Sequence, residues 1–407
     1  MSYVVWFKDL NKDSIAIAGG KGANLGEMFN AGLPVPEGFA VTAQAYQLFL
    51  EKTGLLEKIK ELLQGLDIED TEKLQQSAKQ IQELIISAEV PEEIIEEIED
   101  NYELLGAGKD AHTLLEAKDV FVAVRSSATA EDLPEASFAG QQATYLNIKG
   151  KENLVAAVRA CWASLFTARA IYYREKNNFE HEKVLISAIV QRMVNSDTSG
   201  VMFTVNPATN KEDEVVIEAV YGLGEMIVSG AANPDFYLVD KKTRDIKKIE
   251  VKKQEIGMFR DEQGKNVKKE ISKDLQEKQI LNHAQIKELA RLGVKIEEHY
   301  GKPQDIEWAI EKEKIYIVQA RAVTTLGKQA VEKKVDVSGK KILLKGETAS
   351  RGFYSGNVKI VNDPSELNKV EKGDVLVAPM TTPDWVPAMQ KAGAIVTDEG
   401  GITCHAA

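Results

Sequence analysis

The chain has 407 residues, 43% of them hydrophobic and 28% charged, and its 63 Asp and Glu against 51 Lys and Arg give a net charge of −12. That composition excludes collagen-like, disulfide-rich and mostly disordered classes, and the acidic balance argues against nucleic acid or an anionic membrane as a partner. ATP is not excluded, because a few local cations outweigh a distant net charge. The two cysteines, Cys161 and Cys404, build no disulfide framework and fit a reducing cytoplasm. The start MSYVVWFKDLNKDS has no basic stretch followed by an apolar core, so no signal peptide is expected, and no apolar run reaches the ~18 residues of a membrane span.

Taken along the chain, IAGGKGANLGEM (17–28) sets three glycines around Lys21 ahead of a helical pattern. Glycines let backbone approach a phosphate and a helix N-terminus favours anions, with Lys21 as a point charge. The plainer alternative is a tight turn with a solvated lysine. The stretch does not match the GxxxxGK[ST] phosphate loop. From about Glu51 to Leu115, apolar residues three and four apart predict short amphipathic helices with a solvated charged face.

VFVAV then predicts a buried strand, with Arg125 just past it, suited to a phosphate or to an ion pair with Glu131 or Asp132. SFAGQQAT is small and polar, suited to a mobile flap or to an ordinary surface loop. VAAVRACWASLFTARAIYYREKN predicts helix, with Cys161 as a packed apolar residue. VLISAIVQRMV, SGVMFTVNP and EVVIEAV predict successive strands, and residues 241–280 predict an exposed hairpin with a following helix.

DIEWAI and KIYIVQAR predict two strands carrying Glu307, Gln319 and Arg321. If they pair, Glu307 and Gln319 face one site, and a carboxylate with an amide oxygen suits Mg²⁺. Arg321 shares a strand face with Gln319. Three polar residues on an open sheet face is the simpler alternative. A linker precedes a small unit in which GETASRGFYSGNVKIV, GDVLVAPM and AGAIVTD alternate strands with turns. GGITCHAA ends the sequence, and His405 there, after glycines and at a helix start, suits a phosphohistidine, with a buried structural histidine as the alternative. Cys404 beside it is poorly placed for Cys–His catalysis. His112, His181, His283 and His299 lie in charged, helix-like surroundings.

These motifs, in this order, resemble one family along the whole chain, the phosphoenolpyruvate synthases (pyruvate, water dikinases). The resemblance rests on GGKGANLGEM, GLPVPEGFAVT, VRSSATAEDLPEASFAGQQATYLNI, SGVMFTVNP, VYGLGEMIVSG, DIEWAI, IYIVQAR and TDEGGITCHAA. It implies an α/β architecture: an ATP-grasp ATP-binding domain over 1–325, a linker over 326–344, and a truncated β-rich swivelling phosphohistidine domain over 345–407. It implies that Lys21 and Arg125 hold ATP phosphates under a flap containing Gly140 and Thr144. Gln191 would lie at the adenine end, Glu307 and Gln319 would hold Mg²⁺ or its phosphate ligands, and Arg321 would stabilise charge in transfer. His405 would accept the β-phosphoryl group, and Thr403 resembles a site switched off by a regulatory kinase and restored by a phosphorylase.

ATP and pyruvate are the implied substrates, and pyruvate belongs to a C-terminal barrel that this sequence does not contain. The expectation is therefore a fragment or an interrupted gene, carrying the ATP half-reaction. A second copy of the chain is a further candidate partner. Pyruvate phosphate dikinase shares the scheme, but its segment after the first arginine resembles a Met- and Gly-rich loop. Rifamycin-type phosphotransferases tend to read Leu-Ser-His where this chain reads Thr403-Cys404-His405. A non-catalytic nucleotide-binding module is the reading from another class.

Overall fold

The computed structural model describes residues 2–68, 70–107, 118–129, 143–228, 232–323, 344, 346, 352–381 and 385–398. Gly140, Thr403, His405, His112 and nearly all of the expected linker lie outside them. Contacts divide the chain into two units, Met1–Val194 with Arg260–Asn266 and Tyr316–Ala320, and Asn195–Phe259 with Val267–Ile315 and Arg321–Ala407.

The first unit opens with strand β1 (Val4–Trp6), helix α1 (Ile15–Asn30), β2 (Gly38–Val41) and four helices, α2 (Ala43–Thr53), α3 (Leu55–Leu63), α4 (Thr71–Ser87) and α5 (Glu92–Ala107). Then come β3 (Val122–Ala128), β4 (Thr144–Ile148), α6 (Lys151–Ala163), α7 (Ala168–Lys176) and β5 (Ile186–Arg192). Its sheet has the order β1-β2-β5-β3-β4, antiparallel throughout. One face is apolar. Val4, Phe39, Val41, Val122, Val124, Ala188 and Val190 all enter the main core, against the inward faces of α2 to α7. Cys161 lies in that core as expected; burial pushes its thiol up, with the Lys21 ammonium opposing.

Two sequence readings are corrected here. The glycines around Lys21 do not all precede the helix. Their stretch lies inside α1, which is broken at Gly19 (φ 65°, ψ 179°) and resumes at Gly20. Arg125 does not follow its strand but sits within β3.

Where α7 turns toward β5, Arg174 is fully buried. Its Nε donates to His181 Nδ1 (2.8 Å) and its Nη1 to the Leu165 carbonyl (2.6 Å), with the guanidinium 5.2 Å from the Phe166 ring centre. Burial lowers the Arg174 pKa to about 10. Because His181 Nδ1 accepts, the imidazole is neutral, and its Nε2 donates to Glu175 Oε1 at 2.8 Å. Burial first, then the Arg174 charge, holds the His181 pKa below its usual value, against the pull of Glu175 and Glu182. The unfolded chain therefore takes up a proton that the folded chain refuses. This stability is present above the ordinary imidazole value of about 6.5 and is lost as pH falls through the folded value. Thermal midpoints at pH 7.5 and 5.5 should show a clear fall in the parent chain and a smaller one in His181→Gln. Equal falls would remove His181 from the effect.

The second unit contains β6 (Thr198–Phe203), β7 (Glu214–Tyr221), α8 (Glu225–Val228), β8 (Asp235–Asp240), β9 (Ile246–Glu250), all but the last residue of β10 (Ile256–Arg260), all but the first of β11 (Asn266–Glu270), α9 (His283–Tyr300), β12 (Gln304–Glu311) and the two ends of β13 (Lys314–Ala322), whose middle, Tyr316–Ala320, belongs to the first unit. A six-stranded sheet runs β13-β12-β6-β7-β8-β9, and β10 and β11 form a separate hairpin. The stretch 241–280 holds the expected exposed hairpin, in β10 and β11, and a helix follows it at His283; the correction is β9, which joins the main sheet. There Asn282 and Gln285 form a capping box, each side chain accepting from the other's backbone. Ile286, Leu289 and Ile296 of α9 are buried, and Gly293 packs beside Met202 of β6.

Strands β14 (Val358–Ile360), β15 (Val375–Ala378) and β16 (Ala394–Thr397), with α10 (Val386–Met389) before the last, form a parallel sheet. One face carries Leu376 and Ala378 into a small core with Val361, Val370, Trp385 and Ala388. Val358, Val375, Ala394, Ile360, Val377 and Val396 share the other face by register. On that face Val358 is 61%, Ile360 62% and Val396 44% exposed. No single helix among the described residues is long and apolar enough to cross a membrane.

Candidate functional site

In the first unit, alternation along each strand and pairing between strands decide which side chains share a face. Arg125 pairs with Thr144 on one side and Ile189 on the other, Ser127 with Ser187, and Ala123 with Gln191. Arg125, Thr144, Ser127 and Gln191 therefore share the sheet face opposite the apolar core. At about 4.8 Å between strands and 3.4 Å per residue, the Gln191 and Arg125 backbones lie about 8 Å apart.

Helix α1 lies on this same face. Gly22 packs against Ile189, where an added Cβ would come within 2.7 Å of Cδ1, and Gly19 packs against Ser127. Lys21 sits between them, and its backbone N–H donates to Ser127 Oγ at 3.1 Å. Arg125 Nη1 donates to the Val318 carbonyl (3.1 Å) and to Gln319 Oε1 (3.4 Å). So Lys21, Arg125, Thr144, Gln191 and Gln319 are brought to one region. Gln191 is 2% exposed, yet its Nε2 has no partner among the described residues. A buried amide donor left so is unusual, and a ligand acceptor would satisfy it.

In the second unit, Asp305 and Glu307 share a face of β12. Glu307 pairs with Val201 of β6, which pairs with Glu218 of β7. Arg321 Nε and Nη2 each lie 2.8 Å from Asp305 Oδ2, with the guanidinium half exposed and the carboxylate nearly covered. Burial pushes the Asp305 carboxyl up, Arg321 pulls it back, and Glu307 adds to the rise. The sequence reading missed Asp305, although the alternation in DIEW (305–308) placed it beside Glu307, and it missed Ser127. Carboxylate oxygens on one strand face fit a hard cation. No group of three metal-ligating side chains occurs among the described residues, so such an ion would lean on waters and substrate phosphates. A cleft of about 620 Å³ elsewhere in this unit is lined by Lys253, Lys268, Lys269 and Lys273 with Glu255, Glu270 and Glu277, and by none of the predicted residues.

Residues 15–341 match the family model described as pyruvate phosphate dikinase, AMP/ATP-binding domain, and residues 370–407 match that of the PEP-utilising enzyme, mobile domain. A probable phosphoenolpyruvate synthase of Methanocaldococcus jannaschii is 54% identical over 99% of this chain and 34% of that protein. A second, from Methanothermobacter thermautotrophicus, is 52% identical over 100% and 58%. The phosphoenolpyruvate synthase of Pyrococcus furiosus is 47% identical over 100% and 54%. The chain thus spans a third to somewhat over half the length of these relatives.

Proposed function

Because the chain belongs to the pyruvate phosphate dikinase AMP/ATP-binding domain family, we propose that it is the nucleotide-handling part of a phosphoenolpyruvate synthase. The overall reaction converts ATP, pyruvate and water to AMP, phosphoenolpyruvate and phosphate. The observation that carries the reading is the gathering of Lys21, Arg125, Thr144, Gln191 and Gln319 at one region of the first unit, on the side away from its core. On this reading Lys21 and Arg125 hold ATP phosphates, Gln191 meets the adenine end, and Gly140 belongs to a flap; Thr144, expected in that flap, is instead the first residue of β4, paired with Arg125, and meets the nucleotide from the sheet. Glu307 and Gln319 hold Mg²⁺ or its phosphate ligands, and the bound ion supplies charge neutralisation for phosphates. Arg321 faces developing charge, with Asp305 fixing its fork. Phosphoryl transfer needs little beyond such alignment and neutralisation.

His405 is the proposed acceptor of the β-phosphoryl group and Thr403 the regulatory position, where added phosphate would bring about −1.5 to −2 charge beside it. The proposed domains are an ATP-grasp domain over 1–325, a linker over 326–344 and part of a swivelling domain from 345 on, in a cytoplasmic enzyme. Pyruvate chemistry belongs to the part of the relatives that this chain does not span. The test is twofold: titration calorimetry with Mg·ATP on the 407-residue chain, and acid-labile ³²P on His405 from [β-³²P]ATP in a polypeptide of the relatives' length. Saturable binding and labelling lost in His405→Ala are expected. Absence of ATP binding would end the reading.

A further inference from the structure

The break in α1 and the buried hydroxyl beneath it point to one assignment. With Gly19 out of helical conformation, the segment from Gly20 to Asn30 begins a new helix, and Lys21 is its second residue. An amide at that place has no partner within its own helix and is ordinarily satisfied by the side chain of the capping residue. Gly19 has no side chain, and none fits: an added Cβ would lie 2.3 Å from Ser127 Oγ and 2.4 Å from the Ser127 carbonyl oxygen. Ser127 itself takes the amide, its Oγ accepting from Lys21 N–H at 3.1 Å, and its side chain is fully buried. Ser127 stands two residues after Arg125 on β3, on the same face and about 6.8 Å along the strand.

We propose that Ser127 is the positioning residue for Lys21: its hydroxyl caps the restarted helix from the neighbouring strand, and so fixes Lys21 against the strand that carries Arg125. The assignment rests on the reading that Lys21 contacts ATP phosphates. A phosphate chain spanning two cations is sensitive to the distance between them, and this bond ties the backbone of Lys21 to the strand that carries Arg125.

A double-mutant cycle on the full 407-residue chain tests it, with the Kd for Mg·ATP from titration calorimetry and the thermal midpoint of each variant. Ser127→Ala should weaken binding by about fivefold to tenfold, the effect of one neutral hydrogen bond. In a Lys21→Met background the same change should cost less than about twofold, since coupled residues are not additive. If Ser127→Ala does not fold, Ser127→Cys, similar in shape but a weak acceptor, takes its place with the same expectations. An equal loss in both backgrounds overturns the proposal and leaves Ser127 a role in the fold alone. Undiminished binding by Lys21→Met instead overturns the phosphate reading of Lys21, and the proposal with it.

Discussion

Replacing Arg321 by alanine is expected to lower the rate of His405 labelling from [β-³²P]ATP by about 10³ or more, the scale of arginine contributions to phosphoryl transfer. Two features make the loss hard to compensate. The guanidinium is half exposed, and Asp305 holds it by two nitrogens on one oxygen, leaving the remaining donors of the fork to other contacts. A lysine offers a point charge in place of a fork, so Arg321→Lys should recover little. Asp305→Asn keeps the hydrogen-bonding shape and removes the charge, so it should cost far less than Arg321→Ala. Glu307→Ala should also abolish labelling, since it removes the carboxylate proposed to hold the metal. The measurement is initial-rate labelling in a polypeptide of the relatives' length, with ATP binding followed in parallel. Near-parental labelling by Arg321→Ala would take this residue out of the mechanism.

The second large effect is expected at Gly19. Its φ of 65° with ψ of 179° lies in a region open essentially to glycine alone, and a Cβ there would meet Ser127 Oγ, O and C at 2.3, 2.4 and 2.7 Å. Backbone strain of about 1–3 kcal/mol and overpacking of about 1–3 kcal/mol together put the cost of Gly19→Ala at about 2–6 kcal/mol. Relief of the clash must move either β3 or the start of the second helical segment, and both carry proposed ATP contacts. A large fall in the thermal midpoint should therefore come with at least about tenfold weaker ATP binding in the molecules that still fold, more than loss of one hydrogen bond gives. A midpoint within about 2 °C of the parent would mean less than roughly 1 kcal/mol, and the account of this glycine would be wrong.

Both sites illustrate what the sequence could and could not disclose. VFVAV was legible as a short unbroken apolar run, and helices α3 to α7 because a half-buried helix repeats its apolar residues at its own period, whereas α2 lay almost wholly ahead of the stretch read as helical. The glycines of GGKGANLGEM were misplaced because glycine marks a loop, a close contact and a strained turn alike. Here Gly19 answers to Ser127 and Gly22 to Ile189, over 100 residues away. β9 was hidden because IKKIE is an edge strand with little burial and no clean alternation. Asp305 was passed over because its importance comes from Arg321, 16 residues on, and only pairing makes that visible. Arg125 was placed past its strand because a charged residue normally ends a buried run. In this sheet the face opposite the core is the one that tolerates it.

The C-terminal three-stranded sheet has a colloidal consequence. Parallel strands are apolar on both sides because both sides are usually covered, and here Val358, Ile360 and Val396 stand open on one of them. A net charge of −12 keeps copies of the chain apart at long range. Added salt shortens that repulsion to about 8 Å at physiological ionic strength and leaves the short-range attraction of the bare patch untouched. The second virial coefficient should therefore turn from positive toward negative as salt is raised. Lysine at positions 358 and 360 should delay that turn, even though the same change makes the net charge less negative.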